Sequence, residues 1–429
     1  MASIEKGTAR RLRVAIAGFG TVGSAVARIL LSQAEASPFE LTYILNRRVA
    51  EKRVPWVPDT VRWTDSADEV LHADIDVFVE LVGSLDPAGG WVRRALASGK
   101  SVVTANKALI AAEGVALEAL AREQRQHLAY GASVAGGVPV LSGLQEGLAG
   151  DELVGVSGIL NGTCNYILTR MEAAGLSFAD ALAEAQKAGF AEADPTADVD
   201  GYDARAKITI LSRVALGADV DTETVTCRSI RPITAVDLRY AAELGCTIRQ
   251  ISHAAVKSDG LHIAVQPMLV ERTLPHASVL GPQNIVVSTG RYGGETTFSG
   301  NGAGGGPTAV AVVSDLLALA RLGTTSAETM SPSLKKMTAS NRTVMPHYTR
   351  YLVRDRPGIL AAIAQILAAH AINVDAVLQL PGQPADAMPF AITLEPCPQD
   401  ALDAALSEIG RLPFLVQPPL CLPILRKRA

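Results

Sequence analysis

Acidic and basic side chains crowd one stretch of an otherwise apolar chain. Residues 189–207 hold Glu192, Asp194, Asp198, Asp200, Asp203, Arg205 and Lys207, whereas charged residues make up only 19% of the sequence. Acids this dense normally mark a solvated loop. Here they run straight into Lys207-Ile208-Thr209-Ile210-Leu211, an apolar run expected to be a buried helix. Asp203 and Lys207 are spaced i,i+4 and share one helix face. The pair is either a surface salt bridge, worth little, or a carboxylate–ammonium pair set for proton transfer on a small zwitterionic substrate. Upstream, Asn161-Gly162-Thr163-Cys164 reads as an ordinary helix N-cap or as a turn whose amides hold a substrate carboxylate. Lys107 closes Val103-Thr104-Ala105-Asn106-Lys107 at the carboxyl end of a predicted strand, the edge where open α/β sheets bind ligands. It is a surface lysine or one that polarises a carbonyl.

A second chemical feature lies near the N-terminus. Gly18-Phe19-Gly20-Thr21-Val22-Gly23 follows the apolar run Val14 to Ala17 and opens a helical pattern. This is the dinucleotide fingerprint in its proper setting: a tight turn, close approach of a pyrophosphate, and close helix–strand packing. The acid that usually holds the ribose 2′-hydroxyl is missing, and the second strand ends in Asn46-Arg47-Arg48. Guanidinium groups there suit a 2′-phosphate, so NADP is favoured over NAD. The alternative is that Arg47 and Arg48 only line an exposed loop.

The elements that must position these residues alternate as strand and helix over about 1–140, which implies a doubly wound, Rossmann-type parallel sheet. Residues 141–307 mix apolar strands with Ala-rich helices, an α+β substrate and oligomerisation domain, and helix 308–321 is expected to return to the first domain. Residues 324–346 read as a linker. Residues 347–429 follow a βαββαβ, ferredoxin-like order with a last strand expected at 414–417. The sequence is 48% hydrophobic with net charge −4, which leaves no electrostatic case for nucleic acid. The five cysteines show no C-x-x-C spacing and read as free thiols of a cytoplasmic protein. Residues 1–13 lack the apolar core of a signal peptide, and no apolar run of about 20 residues predicts a membrane span.

Taken together, these motifs resemble homoserine dehydrogenase. The resemblance rests on the glycine fingerprint, Val79-Glu80-Leu81-Val82-Gly83, Gly99-Lys100 through Lys107, Ser133-Val134-Ala135-Gly136-Gly137-Val138-Pro139, Gly158 to Thr163, Ala191 to Lys207, and Gly302-Ala303-Gly304 with Pro307-Thr308. The tail is similar to an ACT domain through Asp355-Arg356-Pro357-Gly358-Ile359-Leu360. The resemblance implies NAD(P)-dependent interconversion of L-homoserine and L-aspartate 4-semialdehyde in threonine and methionine biosynthesis. It implies Lys107 and Lys207 as catalytic lysines, Asp203 as partner of Lys207, and Glu192, Asp198, Gly162 and Thr163 as substrate contacts. Gly83, Thr104, Lys107 and Gly304 are expected near the nicotinamide ribose. It further implies an amino-acid effector at the ACT domain and a homodimer or homotetramer. A family sodium site would use backbone carbonyls near Val134 and Gly136, but Gly131 stands where a Glu is usual, so a monovalent cation is not expected to bind strongly. Phe190 for Tyr, Asn301 for Pro and Ile248-Arg249-Gln250 are further departures. They keep open a paralogous oxidoreductase acting on a related amino-acid alcohol or aldehyde. A non-catalytic amino-acid sensor is the remaining alternative.

Overall fold

The computed structural model describes residues 10–32, 37–323, 334–340 and 343–427. Residues 1–9 of the N-terminal segment, and 324–333 and 341–342 of the expected linker, lie outside the described residues. The chain forms two compact units, residues 1–150 with 300–334, and residues 151–299 with 335–429. The sequence placed those breaks at 140 and 307.

In the first unit, strands β1 (Leu12–Ala17), β2 (Phe39–Leu45), β3 (Arg62–Thr64), β4 (Val77–Glu80), β5 (Ser101–Thr104) and β6 (Leu128–Ala129) pair in the order β3-β2-β1-β4-β5-β6. Every pairing is parallel. The central strands are continuous apolar runs because helices cover both faces. Helices α1 (Thr21–Ser32), α2 (Ala88–Ala97) and α3 (Lys107–Glu123) belong to this layer. Strand order reverses between β1 and β4, and the carboxyl ends of both carry the motifs read above.

The second unit begins with β7 (Leu153–Ile159), α4 (Gly162–Ala174), α5 (Phe178–Lys187), the single turn α6 (Thr196–Val199) and α7 (Tyr202–Leu216). After α8 (Ala235–Glu243) come two long antiparallel strands, β8 (Cys246–Lys257) and β9 (Gly260–Glu271), then the hairpin β10 (Gln283–Gly290) and β11 (Gly294–Asn301). Arg249, one of the sequence departures, is 1% exposed within β8 and pairs with Glu172 at 3.0 Å. A charge placed there needs such a partner.

Helix α9 (Gly305–Leu322) belongs to the first unit and starts one turn earlier than expected, because Gly305 and Gly306 are already helical. It is long and apolar enough to cross a membrane by length and composition. Its Ala309, Val312, Leu316 and Leu319 instead share a core with Val26, Ala27 and Leu30 of α1.

The remaining chain is β12 (Val344–Val353), α10 (Ile359–Ala369), β13 (Val374–Leu378), β14 (Met388–Pro398), α11 (Gln399–Ile409) and β15 (Leu420–Leu425), the expected βαββαβ order. The last strand corrects the sequence: it is Leu420–Leu425 rather than 414–417, where Leu415 makes only an isolated bridge to Val353. Phe414 is buried in the core of this domain. β15 pairs antiparallel with β12 and parallel with β9. Among the described residues this gives an 11-stranded sheet whose main path is β11-β10-β7-β8-β9-β15-β12-β14-β13.

Candidate functional site

In the first unit two of the three fingerprint glycines, Gly18 and Gly23, are sterically required. Gly18 has φ +100, and a Cβ there would lie 2.6 Å from the Leu81 carbonyl oxygen. A Cβ on Gly23 would lie 1.9 Å from the Gly18 oxygen. Gly20 is exposed, with nothing within 4 Å of a Cβ position. The first turn of α1 carries no acid. An open backbone cradle at an acid-free helix N-terminus fits a dinucleotide pyrophosphate. Phe19 contributes backbone only: its ring is buried against Trp56 and Trp63, with centroids 5.9 and 4.8 Å away. Thr21 is exposed and Val22 packs partly onto the core. Arg47 and Arg48 lie on an exposed loop, where Arg48 meets Glu51 at 3.3 Å.

At the ends of β4 and β5, Gly83 has φ +83 and open space around it. Thr104 is fully buried. Its hydroxyl donates to Glu80 at 2.6 Å and accepts the Asn106 N–H at 3.0 Å. Any cofactor contact of Thr104 would therefore run through its backbone. Asn106 caps α3 by accepting the Leu109 N–H at 3.1 Å, and Lys107 is the first residue of that helix. Gly304 has φ +115 immediately before α9.

The turn whose carbonyls a family sodium site would use is tightly built. Val134 is buried, and Ala135 and Gly136 both have positive φ. A Cβ on Gly136 would lie 2.6 Å from the Gly302 oxygen. A side chain at Gly131 would have to displace the Asp315 carboxylate of α9, whose Oδ1 would lie 2.6 Å from its Cβ. The Asp315 carboxylate accepts the Gly131 N–H at 2.8 Å. Burial pushes its pKa up to about 7, against the opposing effect of that bond. No cluster of three or more His, Cys, Asp or Glu suited to a metal occurs among the described residues.

The second unit assembles the acidic stretch. Lys207 is 9% exposed on α7, and its ammonium donates to Asp203 Oδ2 and to the Leu160 carbonyl, each at 2.7 Å. Asp203 is nearly as buried, so the pair is not a surface salt bridge. Asn161 is the N-cap of α4: its oxygen accepts the Cys164 N–H at 2.8 Å. Its amide nitrogen donates to Asp198 at 2.7 Å and to Asp203 at 2.9 Å. The cap and the site are thus the same residue. Burial raises the Asp198 pKa, its bond from Asn161 lowers it, and the nearby Asp203 charge raises it further.

Thr163 donates to the Phe190 carbonyl at 2.6 Å, and the Phe190 ring lies against Tyr166 at 4.7 Å. These contacts tie the start of the acidic stretch to α4. Gly162 has a steric reason for its identity, since a Cβ there would lie 2.6 Å from the Pro282 oxygen. Glu192 stands outside the hydrogen-bonded set: it is exposed, and Gln186 binds its backbone carbonyl at 3.0 Å. Cys164 is a buried thiol donating to the Asp198 carbonyl, and burial pushes its pKa well up, so it is no nucleophile.

Sequence reasoning quoted Glu80 and Asn106 within motifs but gave them no role, and it read Asn161 only as part of a cap or turn, without its bonds to Asp198 and Asp203. Their polar character inside apolar or cap positions was the available signal. Asp315 carried none, since an acid in the middle of a helix looks like surface.

Family models for homoserine dehydrogenase (residues 139–317), its NAD binding domain (18–131) and the ACT domain (347–414) match the chain. A homoserine dehydrogenase of Synechocystis is 35% identical over 96% of this chain and 99% of its own length. The crystal structure of a homoserine dehydrogenase from Thiobacillus denitrificans superposes with TM-score 0.89 at 33% identity, covering 97% of this chain and 98% of that one. A hyperthermophilic archaeal homoserine dehydrogenase in complex with NADPH covers 73% of this chain and 98% of its own, with TM-score 0.62 and 28% identity. With family models matching most of its length and the likeness to relatives extending end to end, the chain belongs to the homoserine dehydrogenase family, NAD(P)-dependent oxidoreductases of amino-acid biosynthesis that interconvert L-homoserine and L-aspartate 4-semialdehyde, and it carries a C-terminal ACT domain.

Proposed function

We propose that the substrate is held by the second unit through the Asn161–Asp198–Asp203–Lys207 set, with NADP as the preferred cofactor. The carrying observation is the buried Lys207–Asp203 pair with Asn161 bridging to Asp198. A buried ammonium already bound to a carboxylate and a carbonyl is fixed in direction. It has a third N–H for the substrate oxygen, where it stabilises a developing alkoxide and supplies its proton. Lys107, the first residue of α3, is the second lysine that membership of the family assigns to the reaction. Asp203 orients Lys207. Asp198 accepts from the substrate ammonium group, and Glu192 closes on it from the exposed loop. The bound nicotinamide supplies the hydride chemistry; the protein supplies position and field.

Arg47 and Arg48 favour NADP, as two guanidinium groups near the end of β2 match a 2′-phosphate. Glu51 competes for Arg48, which moderates the preference. Backbone carbonyls near Val134 and Gly136, with Asp315 replacing the missing acid at 131, are the only cation site proposed, and a weak one. The ACT domain is assigned an amino-acid effector, with threonine tested first, and the enzyme a cytoplasmic homodimer or homotetramer.

The test is Lys207→Ala, with homoserine oxidation and NADPH fluorescence titration measured on the same sample. Turnover is expected to fall by about 100-fold or more while NADPH affinity is kept. Retained turnover sinks the assignment. Phe190 supports a second reading, a related amino-acid alcohol as substrate; homoserine ranking first in a substrate screen removes it.

A further inference from the structure

Glu80 is a carboxylate with no exposed surface, at the carboxyl end of β4 beside the point where strand order reverses. An isolated charge there would be prohibitively costly. Both of its oxygens are instead occupied. Oε1 accepts the Val82 N–H at 2.7 Å and the Gly83 N–H at 3.2 Å, and Oε2 accepts the Thr104 hydroxyl at 2.6 Å. One acid thereby joins the turn after β4 to the end of β5, where Glu80 and Thr104 are register partners.

The network continues in both directions. The Thr104 oxygen accepts the Asn106 N–H, the Asn106 amide donates to the Ser84 carbonyl at 2.7 Å, and its oxygen caps α3 at Leu109. The residue after that cap is Lys107. In the other direction, Leu81 donates to the Ala17 carbonyl at 2.8 Å, and its own carbonyl fills the space a side chain at Gly18 would need. The Glu80 side chain therefore ties the turn after β4 to the start of α3, and the fingerprint turn rests on the backbone of Leu81, which lies between Glu80 and the N–H groups it holds.

We propose that Glu80 is a positioning residue for the reaction: it sets Lys107 through Thr104 and Asn106, and the fingerprint turn through Leu81. The proposal rests on the assignment of Lys107 and of the dinucleotide site above. The chemistry requires an acceptor on both oxygens. A Gln at 80 would present N–H either to the Val82 and Gly83 N–H groups or to a Thr104 hydroxyl that then loses its acceptor.

Glu80→Gln, Thr104→Val and Thr104→Ser are compared by thermal melting, NADPH fluorescence titration and homoserine kinetics. Glu80→Gln and Thr104→Val are expected to lower kcat by about tenfold or more and weaken NADPH by about fivefold, with homoserine KM within about twofold. Thr104→Ser, which keeps the hydroxyl, restores both. Wild-type kcat and NADPH affinity in Glu80→Gln would overturn the proposal, as would losses that track melting temperature with Ser no better than Val. If the wild type binds NADPH but leaves homoserine unoxidised, the substrate assignment fails instead. The NADPH titrations of the three variants still decide the role of Glu80.

Discussion

Asn161 performs two tasks that one side chain rarely combines. Its oxygen starts α4, and its amide nitrogen holds Asp198 and Asp203 close together. The two tasks can be separated. Aspartate is as good an N-cap as asparagine, but it has no N–H to offer two carboxylates. In Asn161→Asp the helix keeps its cap, but kcat/KM for homoserine should fall by about 100-fold and the melting temperature should drop more at pH 8 than at pH 5, as a third negative charge enters the buried set. Equal activity would mean that Asp198 and Asp203 are held by other contacts. A capping side chain thus has atoms left over after starting its helix, and here the amide nitrogen reaches the acidic stretch.

Among the elements, α9 brings a buried carboxylate to the turn at Gly131. Asp315 lies where a side chain at 131 would start and takes the Gly131 N–H. The cost is a buried acid with a pKa of about 7, against an ordinary value of 3.8. The folded state holds this proton more tightly than the unfolded state. Its protonation therefore adds stability at low pH, and that contribution is lost as pH rises from about 4 to about 7, by up to about 1.4 kcal/mol per pH unit. Asp315→Asn keeps the shape without the charge. Urea midpoints measured between pH 5 and pH 8 should show a flatter dependence than wild type, and greater stability above pH 7. An unchanged slope would place the titration elsewhere.

Across the second unit, the ACT domain and the acidic stretch are parts of one hydrogen-bonded body. Arg350 of β12 pairs with Asp237 of α8 at 3.0 Å, with side chains only 7% and 0% exposed, and Tyr348 donates to the same carboxylate oxygen at 2.9 Å. Arg350 also donates to the Pro232 carbonyl at 3.2 Å, and two residues earlier Ile230 binds the Val199 carbonyl, next to Asp198. Tyr348, Ala191 and Val199 share one apolar core. Removing one partner of a buried ion pair costs about 3–5 kcal/mol. Asp237→Asn should cost roughly that much in denaturant unfolding and raise the homoserine KM. NADPH affinity should stay unchanged, because the network lies wholly in the second unit. A weakened NADPH site with normal homoserine KM would refute this coupling.

The local features were readable in advance because they repeat along the chain. Alternating strands and helices, the glycines at 18, 20 and 23, the i,i+4 pair Asp203–Lys207 and the βαββαβ tail each follow from backbone geometry within a few residues. Long-range pairing was not readable. Asn161 reaches Asp198 and Asp203 across some forty residues, Asp315 fills the space at Gly131 across 184, and β15 joins β9 at a register no local pattern encodes. The misplaced last strand shows why. Residues 414–417 and 420–425 are both short and apolar, and pairing with β9 and β12 selects the second. Which buried polar atom meets which depends on how the elements pack, since each must find a partner somewhere in the folded chain. Residue types therefore announced the chemistry, and packing assigned the partners that aim it.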